Sequence, residues 1–100
     1  MHMVSISEVP KMRNQIDVEG TIESISEPRT VNLRTGGETQ VADAVLKDDS
    51  GQVKLTLWGE DINKVKVGSK IQIKNGYTKE FKGDLALNVG RYGTLTVSES

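Results

Sequence analysis

Apolar and polar side chains alternate strictly through Val53-Lys54-Leu55-Thr56-Leu57-Trp58, between the turn residues Asp48-Asp49-Ser50-Gly51 and Gly59. Successive strand side chains point to opposite faces, so this run is committed to a strand with one buried side. Val53, Leu55 and Leu57 form the core face, and Lys54, Thr56 and Trp58 form the other. The second set puts a cation, a hydroxyl and the chain's single tryptophan where solvent is expected. The turn also ties the run to the Val- and Ala-rich segment 39–47, which predicts a hairpin.

The same punctuation divides the rest of the chain. Residues 4–15 carry Ile6, Val9 and Met12 at helical spacing, but Pro10 interrupts them, predicting a short turn or single helical turn that covers one end of the domain. Residues 16–25 alternate as a strand, with Ile16, Val18 and Ile22 on one face and Gly20 marking a bend or bulge. Pro28 ends or kinks it, residues 29–33 continue at an edge, and Arg34-Thr35-Gly36-Gly37-Glu38 is a hairpin loop. Beyond Trp58, residues 59–65 allow one or two helical turns, acidic at the start and basic at the end, as the helix dipole favours. Strands follow at 70–74, around Leu85, Leu87 and Val89, and at Leu95 and Val97. Five to six short strands with regular turns predict a small barrel or sandwich. Three strands, a helix, then two strands is the order of the all-β, five-stranded Greek-key OB-fold barrel, its short helix between strands 3 and 4.

One hundred residues make one domain, assigned to residues 4–100. Met1-His2-Met3 resembles a cloning remnant, which removes the only histidine from site reasoning. There is no cysteine, hence no disulfide, thiol nucleophile or zinc knuckle. Neither a membrane-length apolar run nor a signal-peptide pattern is present, so an intracellular, cytoplasmic and nucleoid-associated setting is expected. Asp48-Asp49 lies in a turn and Glu60-Asp61 at a helix start, so neither pair faces across a cleft as acid–base chemistry requires. With no metal cluster, nucleophile–base pair or phosphate loop, the chain is expected to be no enzyme and to need no cofactor.

Charge is polarised although the net value is −1. Residues 1–51 carry five Lys and Arg against nine Asp and Glu, whereas residues 52–92 carry eight against four. The basic half also holds all four aromatics, including Tyr77 and Phe81 in Asn75-Gly76-Tyr77-Thr78-Lys79-Glu80-Phe81-Lys82-Gly83. Aromatics interleaved with cations form the kind of surface that holds single-stranded nucleic acid, bases stacking on rings while the backbone follows the charge.

Three stretches together resemble the single-stranded-DNA-binding proteins of archaea: Asp49-Ser50-Gly51-Gln52-Val53-Lys54-Leu55-Thr56-Leu57-Trp58-Gly59, then Val67-Gly68, then Ile73-Lys74-Asn75-Gly76-Tyr77 with Phe81-Lys82-Gly83. They are also similar to the simple eukaryotic single-stranded-DNA-binding proteins and, more loosely, to the OB domains of replication protein A. Ser26-Glu27-Pro28-Arg29 extends the likeness over nearly the whole chain. The resemblance implies base stacking at Trp58, Tyr77 and Phe81, and a strand contact at Arg29. Tyr77 stands where some archaeal members have tryptophan, which implies weaker stacking there. The Gly/Arg-rich or acidic tail of some members is not in this sequence.

Each candidate also has an ordinary structural role. A lone tryptophan in a small domain is commonly a partly buried core residue, but Trp58 is out of phase with Val53, Leu55 and Leu57. Phe81 sits beside a turn, a poor place for core. Tyr77 either joins the platform or anchors a strand end through its hydroxyl, and Tyr92 is expected to pack locally. Lys54, Lys79, Lys82 and Arg29 are singly ordinary solvated charges; grouped around the aromatics they become candidates for the phosphate path. Thr56 is a candidate polar contact or simply a good strand former. The expected partner is single-stranded DNA, bound by a monomer with little sequence preference, in replication, recombination and repair alongside proteins of those processes. The alternatives are an RNA-binding OB module, or an OB domain used for protein assembly in a replication protein A-like complex.

Overall fold

The structure is a computed structural model describing residues 3–81, 83–89 and 92–98, with Phe81 and Ser98 described by backbone only. The predicted strands appear as β1 (Ile16–Ile25), β2 (Arg29–Asn32), β3 (Glu38–Asp48), β4 (Gly51–Trp58), β5 (Lys70–Phe81), β6 (Asp84–Asn88) and β7 (Thr94–Ser98). Strands pair in the order β1-β3-β4-β6-β5, and β1 pairs again with β5, closing a five-stranded barrel. β2 extends the edge of β3, and β7 flanks β5. A single-turn helix, α1 (Asp61–Lys64), separates β4 from β5, its ends joined by a Lys64–Asp61 ion pair of 3.4 Å. This is the OB-fold order expected from the sequence.

The alternating apolar positions fill the barrel. Leu55, Leu57, Ile73 and Leu87 are fully buried, together with Ile16, Val18, Ile22 and Leu46. Each such side chain contributes roughly 1.5–3 kcal/mol on burial. One barrel end is closed by the 3-10 turn Ile6–Lys11, which includes Pro10 and drives Ile6 and Val9 into the core.

Two bulges decide which residues face out. On β1, Ile22 and Ser24 pair with the adjacent residues Leu46 and Val45, so Glu23 is extra. On β5, Val18 and Ile16 pair with Ile73 and Gly76, a step of three residues against two. Asn75 takes up the difference in a left-handed conformation at φ 56°. Ile71 and Ile73 point inward before this bulge; after it the phase reverses, and Tyr77 and Lys79 turn outward. The strand expected to stop at residue 74 therefore runs on to Phe81.

Gly20, expected to mark a bend or bulge, is not itself bulged. It lies where β1 passes from β5 to β3, and Thr21 pairs with both Lys70 and Lys47. Its lack of a side chain is needed for close approach, because a Cβ there would sit 2.6 Å from the Lys47 carbonyl oxygen.

Asp48 links the β3–β4 turn to the end cap. Its Oδ1 accepts bonds from the Ser50 amide (2.7 Å), the Ser50 hydroxyl (2.5 Å) and the Gly51 amide (3.2 Å), while Oδ2 accepts from the Ile6 amide (3.1 Å). Partial desolvation pushes the carboxyl pKa up, but these bonds, the Ser50 hydroxyl foremost, outweigh it and hold the pKa below its ordinary value. A depressed carboxylate stabilises the fold above its unfolded pKa and loses that contribution as pH falls through the folded one. Asp48→Ala is therefore expected to lower Tm at pH 7 by about 4–8 °C, corresponding to about 1 kcal/mol. Thermal melts at pH 7 and pH 3 should show the gap to the parent protein narrowing in acid.

Candidate nucleic-acid interface

The registers align residues of six strands in three rungs across one face. The first joins Arg29, Val41 and Trp58. The second joins Asp43, Thr56, Asn88 and Tyr77, and the third joins Ser24, Val45, Lys54, Ala86 and Lys79. Neighbouring strands lie about 4.8 Å apart and same-face residues about 6.7 Å apart along a strand. Trp58 and Tyr77 are thus separated by roughly 12 Å at the backbone, enough for each ring to take its own base.

Trp58 is 42% exposed, unusual for the largest side chain of a small domain. Its ring is held all the same: the indole Nε1 donates to Asn88 Oδ1 at 3.0 Å, and Asn88 is itself only 5% exposed. The Asn88 amide donates a longer bond, 3.4 Å, to the Ala86 carbonyl. Val41, opposite Trp58 on β3, is buried. The indole is thereby fixed at one edge and open to solvent over much of its surface, a geometry suited to receiving a flat ring.

Tyr77 is half-buried beside Asn88, and Thr56 is half-buried between Asp43 and Asn88. Lys79 is exposed and makes no ion pair among the described residues. Arg29 and Lys54, with side chains 54% and 41% exposed, converge on one carboxylate oxygen: Asp43 Oδ2 lies 3.2 Å from Arg29 Nη1 and 3.9 Å from Lys54 Nζ. Beyond Lys54 the face opens into a groove of about 580 Å³, lined by Ser24, Asp43, Val45, Val53 and Lys54.

Six of the predicted residues, Arg29, Lys54, Thr56, Trp58, Tyr77 and Lys79, therefore share one face. Phe81 ends β5 opposite Asp84; its side chain and Lys82 lie outside the described residues, as do Gly90 and Arg91. Tyr92, expected to pack locally, is 82% exposed, and its carbonyl accepts a 3.4 Å bond from the Asn75 side chain. Two members of the face were missed, Asn88 and Asp43. Each was marked in the sequence as a polar residue within an apolar run, Leu85-Ala86-Leu87-Asn88-Val89 and Val41-Ala42-Asp43-Ala44-Val45. Among the described residues, no helix is long and apolar enough to cross a membrane.

Comparison with known proteins agrees with this architecture. The chain is 36% identical over 81 residues to the single-stranded DNA binding protein Ssb of Saccharolobus solfataricus, covering 81% of this chain and 53% of that protein. It is 30% identical over 95 residues to replication factor A of Methanothermobacter thermautotrophicus, covering 91% of this chain and 12% of that one. The chain thus spans about half the length of the first relative and a small part of the second. The solution structure of a replication factor A related protein from Methanobacterium thermoautotrophicum superposes with a TM-score of 0.73 at 28% identity, over 98% of this chain and 92% of that one. Residues 12–97 match the family described as single-stranded DNA binding protein Ssb-like, OB fold, and the chain belongs to that family.

Proposed function

We propose that this chain binds single-stranded DNA with little sequence preference, bases stacking on Trp58 and Tyr77 while Arg29, Lys54 and Lys79 follow the phosphates. Phe81, whose backbone ends the same strand, and Lys82, next to it in the sequence, extend the path. The observation that carries this reading is the half-exposed tryptophan, edge-bonded to a buried asparagine and set among cations on one sheet face. Little sequence preference follows from what the face lacks. Asn88, the best-placed amide for reading a base edge, already bonds Trp58 and the Ala86 carbonyl. Stacking tolerates any base because every base has a π-face. Such binding protects exposed strands in replication, in keeping with the names of the relatives, and equally the strands exposed in recombination and repair.

Titration with oligo-dT, read by tryptophan fluorescence, tests this directly, because Trp58 is the one tryptophan of the chain. The expected result is saturable quenching that weakens with salt, with a log–log slope of about −0.7 per neutralised phosphate, and no comparable quenching by duplex DNA. No quenching at low salt would reject the stacking site. A parallel titration with oligo-U decides between DNA and RNA, which differ at the 2′-hydroxyl.

A further inference from the structure

The Asp43 carboxylate lies between two cations of the face, Arg29 and Lys54, at the head of the rung that runs on through Thr56 and Asn88 to Tyr77. Both contacts converge on Oδ2, and neither cation is buried. Arg29 pairs with nothing else among the described residues, and neither does Lys54. The backbone around Asp43 is held independently. Its amide donates to the Ser26 hydroxyl oxygen at 2.9 Å, and its carbonyl accepts from the Ser26 amide at 2.7 Å. The carboxylate can therefore lose its partners without disturbing the strand. Exposed ion pairs of this kind are weak and readily exchanged.

We propose that Asp43 occupies, in the free protein, the position taken by one phosphate of the bound strand, and that binding exchanges carboxylate for phosphate between Arg29 and Lys54. This rests on the single-strand reading above and assigns one phosphate a place within it. A phosphate is also an anionic oxygen cluster, and it matches the Arg fork at least as well as a single carboxylate oxygen does. Until it arrives, Asp43 keeps the two cations together and partly neutralised. Once displaced, the carboxylate takes up a solution cation, which subtracts from the counterions released by the DNA. Asp43 thus lowers affinity and flattens its salt dependence.

The test is an oligo-dT titration of the parent protein and Asp43→Asn, which is nearly isosteric, with Asp43→Ser as a second variant, at several salt concentrations. The expected result is about 3- to 10-fold tighter binding at low salt, a steeper salt slope, and a gain that shrinks as salt rises. In an Arg29→Gln/Lys54→Gln background the same Asp43→Asn change should have little effect. Weaker or unchanged binding in Asp43→Asn would overturn the proposal, as Asp43 would then position the cations or lie off the path. An equal gain in the double-glutamine background would also overturn it, showing only long-range repulsion. Failure of the parent protein and every variant to bind oligo-dT would instead reject the single-strand reading itself.

Discussion

Replacing Trp58 with alanine is expected to weaken oligo-dT binding by about 5- to 150-fold, the equivalent of one stacked base at about 1–3 kcal/mol, and to leave the domain folded. The two halves of this prediction have separate causes. Loss of affinity follows from the exposed π-face. Retention of the fold follows from Trp58 lying outside the cluster of Leu55, Leu57, Ile73 and Leu87 that fills the barrel. Removing the indole frees Asn88 Oδ1, but it also uncovers that atom to water, so the penalty of an unpaired buried acceptor is largely avoided. Because the variant has no tryptophan, binding has to be read from the anisotropy of a labelled strand, and folding from circular dichroism. Trp58→Phe should fall between the two, keeping a ring while losing the Nε1 bond. Unchanged affinity in Trp58→Ala would sink the platform, and an unfolded variant would return Trp58 to the core.

The barrel was legible because its strands are short, alternate cleanly and are separated by turn residues. Val53, Leu55 and Leu57 state their face without ambiguity, and the β3–β4 hairpin follows from one turn. Closure also follows from strand order once a helix is placed after β4. Orientation at Tyr77 was not legible in the same way. Counted from Ile71 and Ile73, an uninterrupted strand would put Tyr77 inside; only the extra residue at Asn75 reverses the phase, and a left-handed asparagine looks much like a turn from sequence. Gly20 was singled out for a bend or bulge; that it also permits a close approach depends on where the Lys47 carbonyl lies, which the sequence does not show. The cations were found, but not their partner. Asp43 is fifteen positions before Trp58 and in the acidic half of the chain, and only the β3–β4 and β2–β3 registers bring it between Arg29 and Lys54.

A methyl group at Gly20 should have the largest effect on stability of any single atom added to the barrel. Alanine there would place its Cβ 2.6 Å from the Lys47 carbonyl oxygen, 2.8 Å from Ile6 Cδ1 and 3.1 Å from Leu46 Cδ1. The two side-chain methyls can turn aside, at some loss of packing under the end cap. The carbonyl cannot, because it belongs to the strand that β1 is joining. Relief therefore requires β1 and β3 to separate where the barrel changes partners. Against this stands the gain of up to about 1 kcal/mol from stiffening the unfolded chain. Overpacking costs about 1–3 kcal/mol or more, and contact this short with backbone lies at the upper end, so the clash wins. Gly20→Ala is expected to lower Tm by roughly 5–20 °C, and Gly20→Val to lower it further. Gly36 provides the contrast: at φ 92° it has no atom within 4 Å of an added Cβ. Gly36→Ala should thus cost only the strain of a left-handed alanine, about 1–2 kcal/mol, with no further loss on going to serine. Melting curves of the four variants decide the matter. If Gly20→Ala melted at or above the parent temperature, the close approach of β1 to β3 would not be what this position protects.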